Sequence, residues 1–170
     1  LFLLDLYYSL PKTYSYVSQL FENDLYERLE ELLPQIKKYE KMILIASADC
    51  HYPSGTCKTF EKFLSAKNIK GAVQTTYNSG SVKQNNLYFC IGDTFLWEVL
   101  KDCNAKGYEI GKHVGILSYD DHTVKEIVLG GITTFSLDFK AMAIKAANYV
   151  KDPVLTKEIV PIDLIKRNSL

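Results

Sequence analysis

The chain contains no stretch approaching the roughly 20 consecutive apolar residues that a membrane span needs. The opening "LFLLDLYYSL" lacks both a basic flank and a small-residue cleavage site, so it does not read as a secretory signal. Charge of one sign is lacking too. Twenty basic residues balance twenty acidic ones, without a dense basic run, and nothing here provides the electrostatic footprint of a nucleic-acid surface. Cysteine is sparse: Cys50, Cys57, Cys90 and Cys103 form no CxxC pair and no zinc spacing with the three histidines. A chain of 170 residues needs no disulfide framework, so these thiols read as reduced and mostly buried, in a cytoplasmic protein. No metal or cofactor is expected.

Two familiar catalytic patterns are also missing. "PSGTCKT" follows the strand-like "KMILIAS", where a glycine loop and a helix start could cradle phosphate, but Thr56 and Cys57 separate Gly55 from Lys58. That leaves a plain strand-to-helix loop. His51, His113 and His122 lie near strand ends, yet no serine or cysteine stands in a nucleophile elbow.

What is present is an alternation of strands and helices. "LFLLD" and Tyr14 to Leu20 read as short strands, and Glu22 to Ile36 as a helix capped by Asn23 or Asp24, with Leu25, Leu29, Leu32, Leu33 and Ile36 on one stripe. "KMILIAS", "GAVQTTY", "LYFCI" and "HVGILSYDD" read as buried strands. Between them fall a helix bearing Phe60, Phe63 and Leu64, and the helix "DTFLWEVLKDCNAKG" with Gly107 as C-cap. Residues 138–150 read as a helix with Phe139, Met142, Ala146 and Tyr149 or Val150 inward, and "EIVPIDLIKRNSL" as a closing strand with Pro161 at an edge or bulge. The expected class is therefore α/β, a parallel sheet with helices on both faces. Such sheets bind ligands at the carboxyl ends of their strands. There "HVGILSYDD" changes from an apolar run to a tyrosine and two carboxylates, groups that must be solvated or meet donors.

The run "GYEIGKHVGILSYDDHTVKEIVLGGITTFSLDFKAMAIKAANYV" and the closing "VPIDLIKRNSL" resemble the C-terminal half of the effector-binding domain of lactose-repressor-type bacterial transcription regulators. That domain has a periplasmic-binding-protein-like fold. The matching features are Tyr119, Asp120 and Asp121 at a strand end, the crossover Ile132 to Thr134, Asp138 to Met142 with Ala146 and Ala147, and "LIKRNSL". More faintly, "LFLLD" resembles the last strand of the first lobe, and "IGDTFLWEVL" stands where the family has Asn-Asp and a helix. The resemblance implies that the chain is mainly the C-terminal lobe. Residues 1–13 would be a remnant of the N-terminal lobe, 14–133 the C-terminal lobe, 134–150 a crossover and helix of the N-terminal lobe, and 151–170 a strand returning to the C-terminal lobe. Most of the first lobe and a DNA-binding head, helix-turn-helix or winged-helix, would lie outside this sequence.

The implied activity is ligand sensing without catalysis. A small polar effector, a sugar or derivative, would sit between the lobes, gripped by Asp5 and Asp120, since carboxylates accept hydrogen bonds from vicinal hydroxyls. Tyr119, Gly92, Asp93 and Thr56 occupy further pocket positions. Thr56 replaces the family's arginine, Gly92 replaces the asparagine before Asp93, and the segment from Tyr77 to Leu87 is short for a crossover helix. Phe21, His51 and Tyr52 follow strands in loops and are the aromatic candidates for the same pocket. Trp97 and Leu100 lie on the helix that packs at the family's subunit interface, so the expected partners are a second copy, the effector, and DNA only through the head. The alternatives are a solute-binding protein of a sugar transporter and, in a third class, an α/β enzyme using Asp120 as a general base.

Overall fold

A computed structural model describes residues 1–5, 13–19, 21–47 and 55–170, with 21–23 described by their backbone alone. Among them a six-stranded sheet carries the core. Its strands are β3 (Lys41–Ala46), β4 (Gly71–Gln74), β5 (Asn86–Ile91), β6 (Gly115–Tyr119), β7 (Thr133–Leu137) and β9 (Ile162–Ile165), in the spatial order β4-β3-β5-β6-β7-β9. All neighbours are parallel except β9, which runs antiparallel to β7 at the edge. A second sheet has three parallel strands, β1 (Phe2–Asp5), β2 (Ser15–Ser18) and β8 (Lys157–Ile159), in the order β1-β2-β8.

Both faces of the large sheet are covered, which is why its strands read as continuous apolar runs. Alternate residues serve opposite faces. Met42, Leu44, Leu87, Phe89, Leu117 and Phe135 pack with Leu25, Leu29 and Ile36 of α1 (Phe21–Glu31) and α2 (Leu33–Ile36), and with Phe60, Phe63 and Leu64 of α3 (Thr56–Lys67). Ile43, Ile45, Tyr88, Cys90 and Ile116 meet Leu96, Val99, Leu100 and Cys103 of α4 (Asp93–Ala105) on the other. Gly107 (φ 67) closes α4, with the Tyr108 amide donating to the Cys103 carbonyl at 2.8 Å. The connection between β4 and β5 holds no helix, and its buried Tyr77 and Val82 cover the sheet there instead.

Several local expectations shift. The first helix breaks around Leu32, with Pro34 inside the short α2, because proline cannot donate to the preceding turn. Asp24 lies within α1 and accepts from the Ile162 amide at 3.1 Å, tying the helix to β9 and not capping it. The strand expected over Tyr14 to Leu20 does not join the large sheet; as β2 it pairs with β1 and β8. The closing strand is two strands, one in each sheet, with Pro161 between them. β7 belongs to the large sheet, and α6 (Phe139–Lys151), capped by Asp138 through the Ala141 amide, follows it. Phe139 (51% exposed) and Val150 (77%) point outward, because only a three-stranded sheet lies under α6. Met142 is buried, and Tyr149 stacks on Phe2 at 4.4 Å.

α5 (Thr123–Ile127) bridges β6 to the crossover before β7. None of the helices described is long and apolar enough to cross a membrane.

Candidate effector site

Parallel pairing places the carboxyl ends of neighbouring strands along one edge, and here the two sheets meet at those ends. Asp5 closes β1, Gln19 directly follows β2, Gly92 and Asp93 follow β5, and Tyr119 and Asp120 close β6. The Gln19 side chain spans the junction. Its amide donates to Asp5 Oδ1 at 2.8 Å, and its carbonyl accepts from the Tyr119 hydroxyl at 2.8 Å. Both carboxylates stand on left-handed backbone, Asp5 at φ 74 and Asp120 at φ 58, a region that non-glycine residues visit at a cost.

Asp120 is the singular group. Its Oδ1 is buried and has no hydrogen-bond partner among the described residues. Burial pushes the Asp120 carboxyl above the ordinary carboxylate range; Lys125 opposes this, while Asp5 and Asp93 add to it. A buried acceptor without a donor costs about 1–3 kcal/mol. The site thus holds an acceptor that awaits a donor.

Next to it lies a cation that sequence reasoning does not find. Lys125 is 0% exposed. Its ammonium donates to the Tyr119 and Asp120 carbonyls and pairs with Asp93 Oδ1, each at 2.7 Å. Nothing in "TVKEI" sets this lysine apart, and only the fold of α5 back over the end of β6 draws it inward. Burial acts to raise the Asp93 carboxyl, but hydrogen bonds from Lys125 and His122 outweigh it and hold Asp93 below the ordinary range. His122 Nε2 lies 2.8 Å from Asp93 Oδ2, and its ring centroid 6.3 Å from that of Trp97.

The paired aspartates of "SYDD" divide their work. Asp121 turns away and takes a bidentate grip from Arg167, at 2.7 and 2.8 Å, with Thr134 Oγ1 donating at 2.9 Å. The Arg167 guanidinium holds its carboxyl below the usual range. This lock explains why the closing "LIKRNSL" accompanies the motif: Arg167 also donates to the Ile132 carbonyl, and Ser169 Oγ donates to that of Ile116.

Of the residues expected at the pocket, Asp5, Tyr119 and Asp120 are brought together. Asp93 joins them through Lys125. Gly92, at φ 98, leads into α4 with open space where a side chain would stand. Thr56 is buried in the first turn of α3. His51, Tyr52 and the side chain of Phe21 lie outside the described residues. Leu100, expected at an interface, is 6% exposed and packs in the chain's own core, because Leu96, Val99 and Cys103 turn the same face of α4 inward. Trp97 is only partly covered. Among the described residues no group of three or more His, Cys, Asp or Glu is placed to hold a metal ion.

No protein-family model and no curated protein matches the sequence. Solved structures do match. An uncharacterized protein from Actinobacillus succinogenes superposes with a TM-score of 0.78 at 16% identity, over 99% of this chain and 69% of its own. The dimeric Lac repressor with an 11-residue C-terminal deletion gives 0.75 at 14% identity, over 99% and 67%. A periplasmic binding protein/LacI transcriptional regulator from Alkaliphilus metalliredigens, complexed with D-xylulofuranose, gives 0.69 at 16% identity, over 92% and 66%. In other Lac repressor structures the chain spans 56% of the solved length. The chain therefore has the periplasmic-binding-protein-like fold of lactose-repressor-type effector-binding domains, the fold that its "SYDD" to "LIKRNSL" motifs resemble.

Proposed function

We propose that this chain is the ligand-sensing part of a cytoplasmic bacterial transcription regulator, that it binds a sugar or similar small polar effector, and that it performs no catalysis. The observation that carries the reading is the pair of strand-end carboxylates, Asp5 from one sheet and Asp120 from the other, joined through Gln19 and Tyr119 while Asp120 Oδ1 stays unpartnered. Hydroxyl donors on a ligand would satisfy that oxygen and bridge the sheets. A ligand that binds one relative placement of the sheets better than another shifts the population toward it. Dimerisation, with Trp97 near the contact, would carry that shift to an N-terminal DNA-binding domain. Support for the sugar comes from the D-xylulofuranose complex of a structural neighbour.

The test is calorimetric titration of the full-length protein with a panel of sugars. Asp120→Ala is expected to weaken binding by about 1–3 kcal/mol, the loss for a charge-assisted hydrogen bond. Unchanged affinity in folded Asp120→Ala and Asp5→Ala variants would remove both residues from the site.

A further inference from the structure

The charges around the cleft are not evenly matched, and the mismatch bears on which effector fits. Lys125 is a buried cation at the floor, but its three N–H donors are all engaged, by Tyr119 O, Asp120 O and Asp93 Oδ1. An ammonium has three donors and no more. It has nothing left for an anionic ligand. Arg167 is similarly occupied by Asp121 and the Ile132 carbonyl. Asp93 is matched by Lys125 and His122. Among the described residues Asp5 has only the neutral Gln19 amide, and Asp120 Oδ1 has no donor.

We infer that the effector carries a primary ammonium beside its hydroxyls, as an amino sugar does, and that the cleft rejects phosphorylated and carboxylated sugars. This rests on the effector-site reading above and narrows it. Among the described residues Lys125 is the cation beside Asp120, but its ammonium is spent on two carbonyls and Asp93, so the two carboxylates keep a surplus of negative charge that repels any anion, more strongly in a partly dry cleft than in water. An ammonium reverses the sign of that interaction. It also supplies the donor that Asp120 Oδ1 lacks, and adds to the charge-assisted bond that a hydroxyl would make the direct attraction of an ion pair. Asp120 and Asp5 come from different sheets, so one ammonium between them would bind the sheets together, which is what a sensing ligand must do.

The experiment titrates the full-length protein with matched sets: D-glucosamine, D-glucose, N-acetyl-D-glucosamine and D-glucose 6-phosphate, and the corresponding members of the galacto and manno series. The expected result is that the amine binds at least about tenfold more tightly than its hydroxyl and acetamide counterparts in the set that binds best, from the attraction of its charge for the carboxylates. The phosphate should not bind. Asp120→Asn, which keeps the shape and tolerates the left-handed backbone, should abolish the preference for the amine. A neutral sugar binding as tightly as its amine, or a phosphate binding at all, overturns the ammonium inference and leaves the sugar reading standing. Silence across every set overturns the sugar reading and the inference with it.

Discussion

Replacing Asp120 by asparagine should stabilise the ligand-free protein while weakening its grip on ligand. The Asp120 carboxylate has one buried oxygen without a donor among the described residues, in the field of Asp5 and Asp93. Asparagine has the same shape, accepts φ 58, and carries no charge to desolvate. An unsatisfied buried group costs about 1–3 kcal/mol; the low end applies, because asparagine leaves one acceptor poorly paired as well. A gain of about 1 kcal/mol at pH 7 corresponds to roughly 2–4 °C in Tm for a chain of this size. The sign of the pH dependence follows from the raised carboxyl. A folded-state pKa above the unfolded value means that ionisation is disfavoured by folding. The penalty is therefore absent below the unfolded value of about 3.9 and complete once the pH exceeds the folded one. The stability difference between variant and parent should vanish toward pH 4 and grow as the pH rises through the raised folded value, measured by urea denaturation at each pH. An Asp120→Asn protein no more stable than its parent at pH 7 would refute the view that this carboxylate is uncompensated.

Lys125→Met should cost about 3 kcal/mol, since it leaves Asp93 and two strand-end carbonyls without their buried donor, and hydrogen exchange should then rise from Tyr119 to Ile127. Asp121→Asn should cost about 2 kcal/mol by breaking the bidentate grip of Arg167, read as a lower denaturation midpoint with unchanged slope. Asp121 and Asp93 have folded carboxyls held low, so their stabilisation is present above the ordinary carboxylate pKa and is lost as the pH falls through their depressed values; Asp121→Asn should flatten that acid limb. Trp97→Ala should shift sedimentation of the full-length protein toward the monomer at tens of micromolar, and an unaltered profile would take Trp97 out of the subunit contact.

The strands and helices of the core are legible in the amino-acid sequence itself. The apolar runs around Ile43, Phe89 and Leu117 suit strands covered on both faces, and the stripes at Leu25, Leu29 and Ile36 and at Phe60, Phe63 and Leu64 suit helices packed on one side. Asp120 stands out because it ends an apolar run, where a carboxylate needs a reason. Local pattern does not record which strand pairs with which, however. Ser15–Ser18 has the same short alternation in either sheet, and only pairing with Phe2–Asp5 and Lys157–Ile159 assigns it to the smaller one. Nor does sequence say which of two adjacent aspartates faces a ligand. That depends on Arg167, 46 residues away, reaching Asp121 and leaving Asp120 Oδ1 unpartnered. Gln19 and Lys125 escape a sequence reading for the same reason: a polar side chain carries no periodicity of its own, and its role is set by the partners that the tertiary fold brings within hydrogen-bond reach.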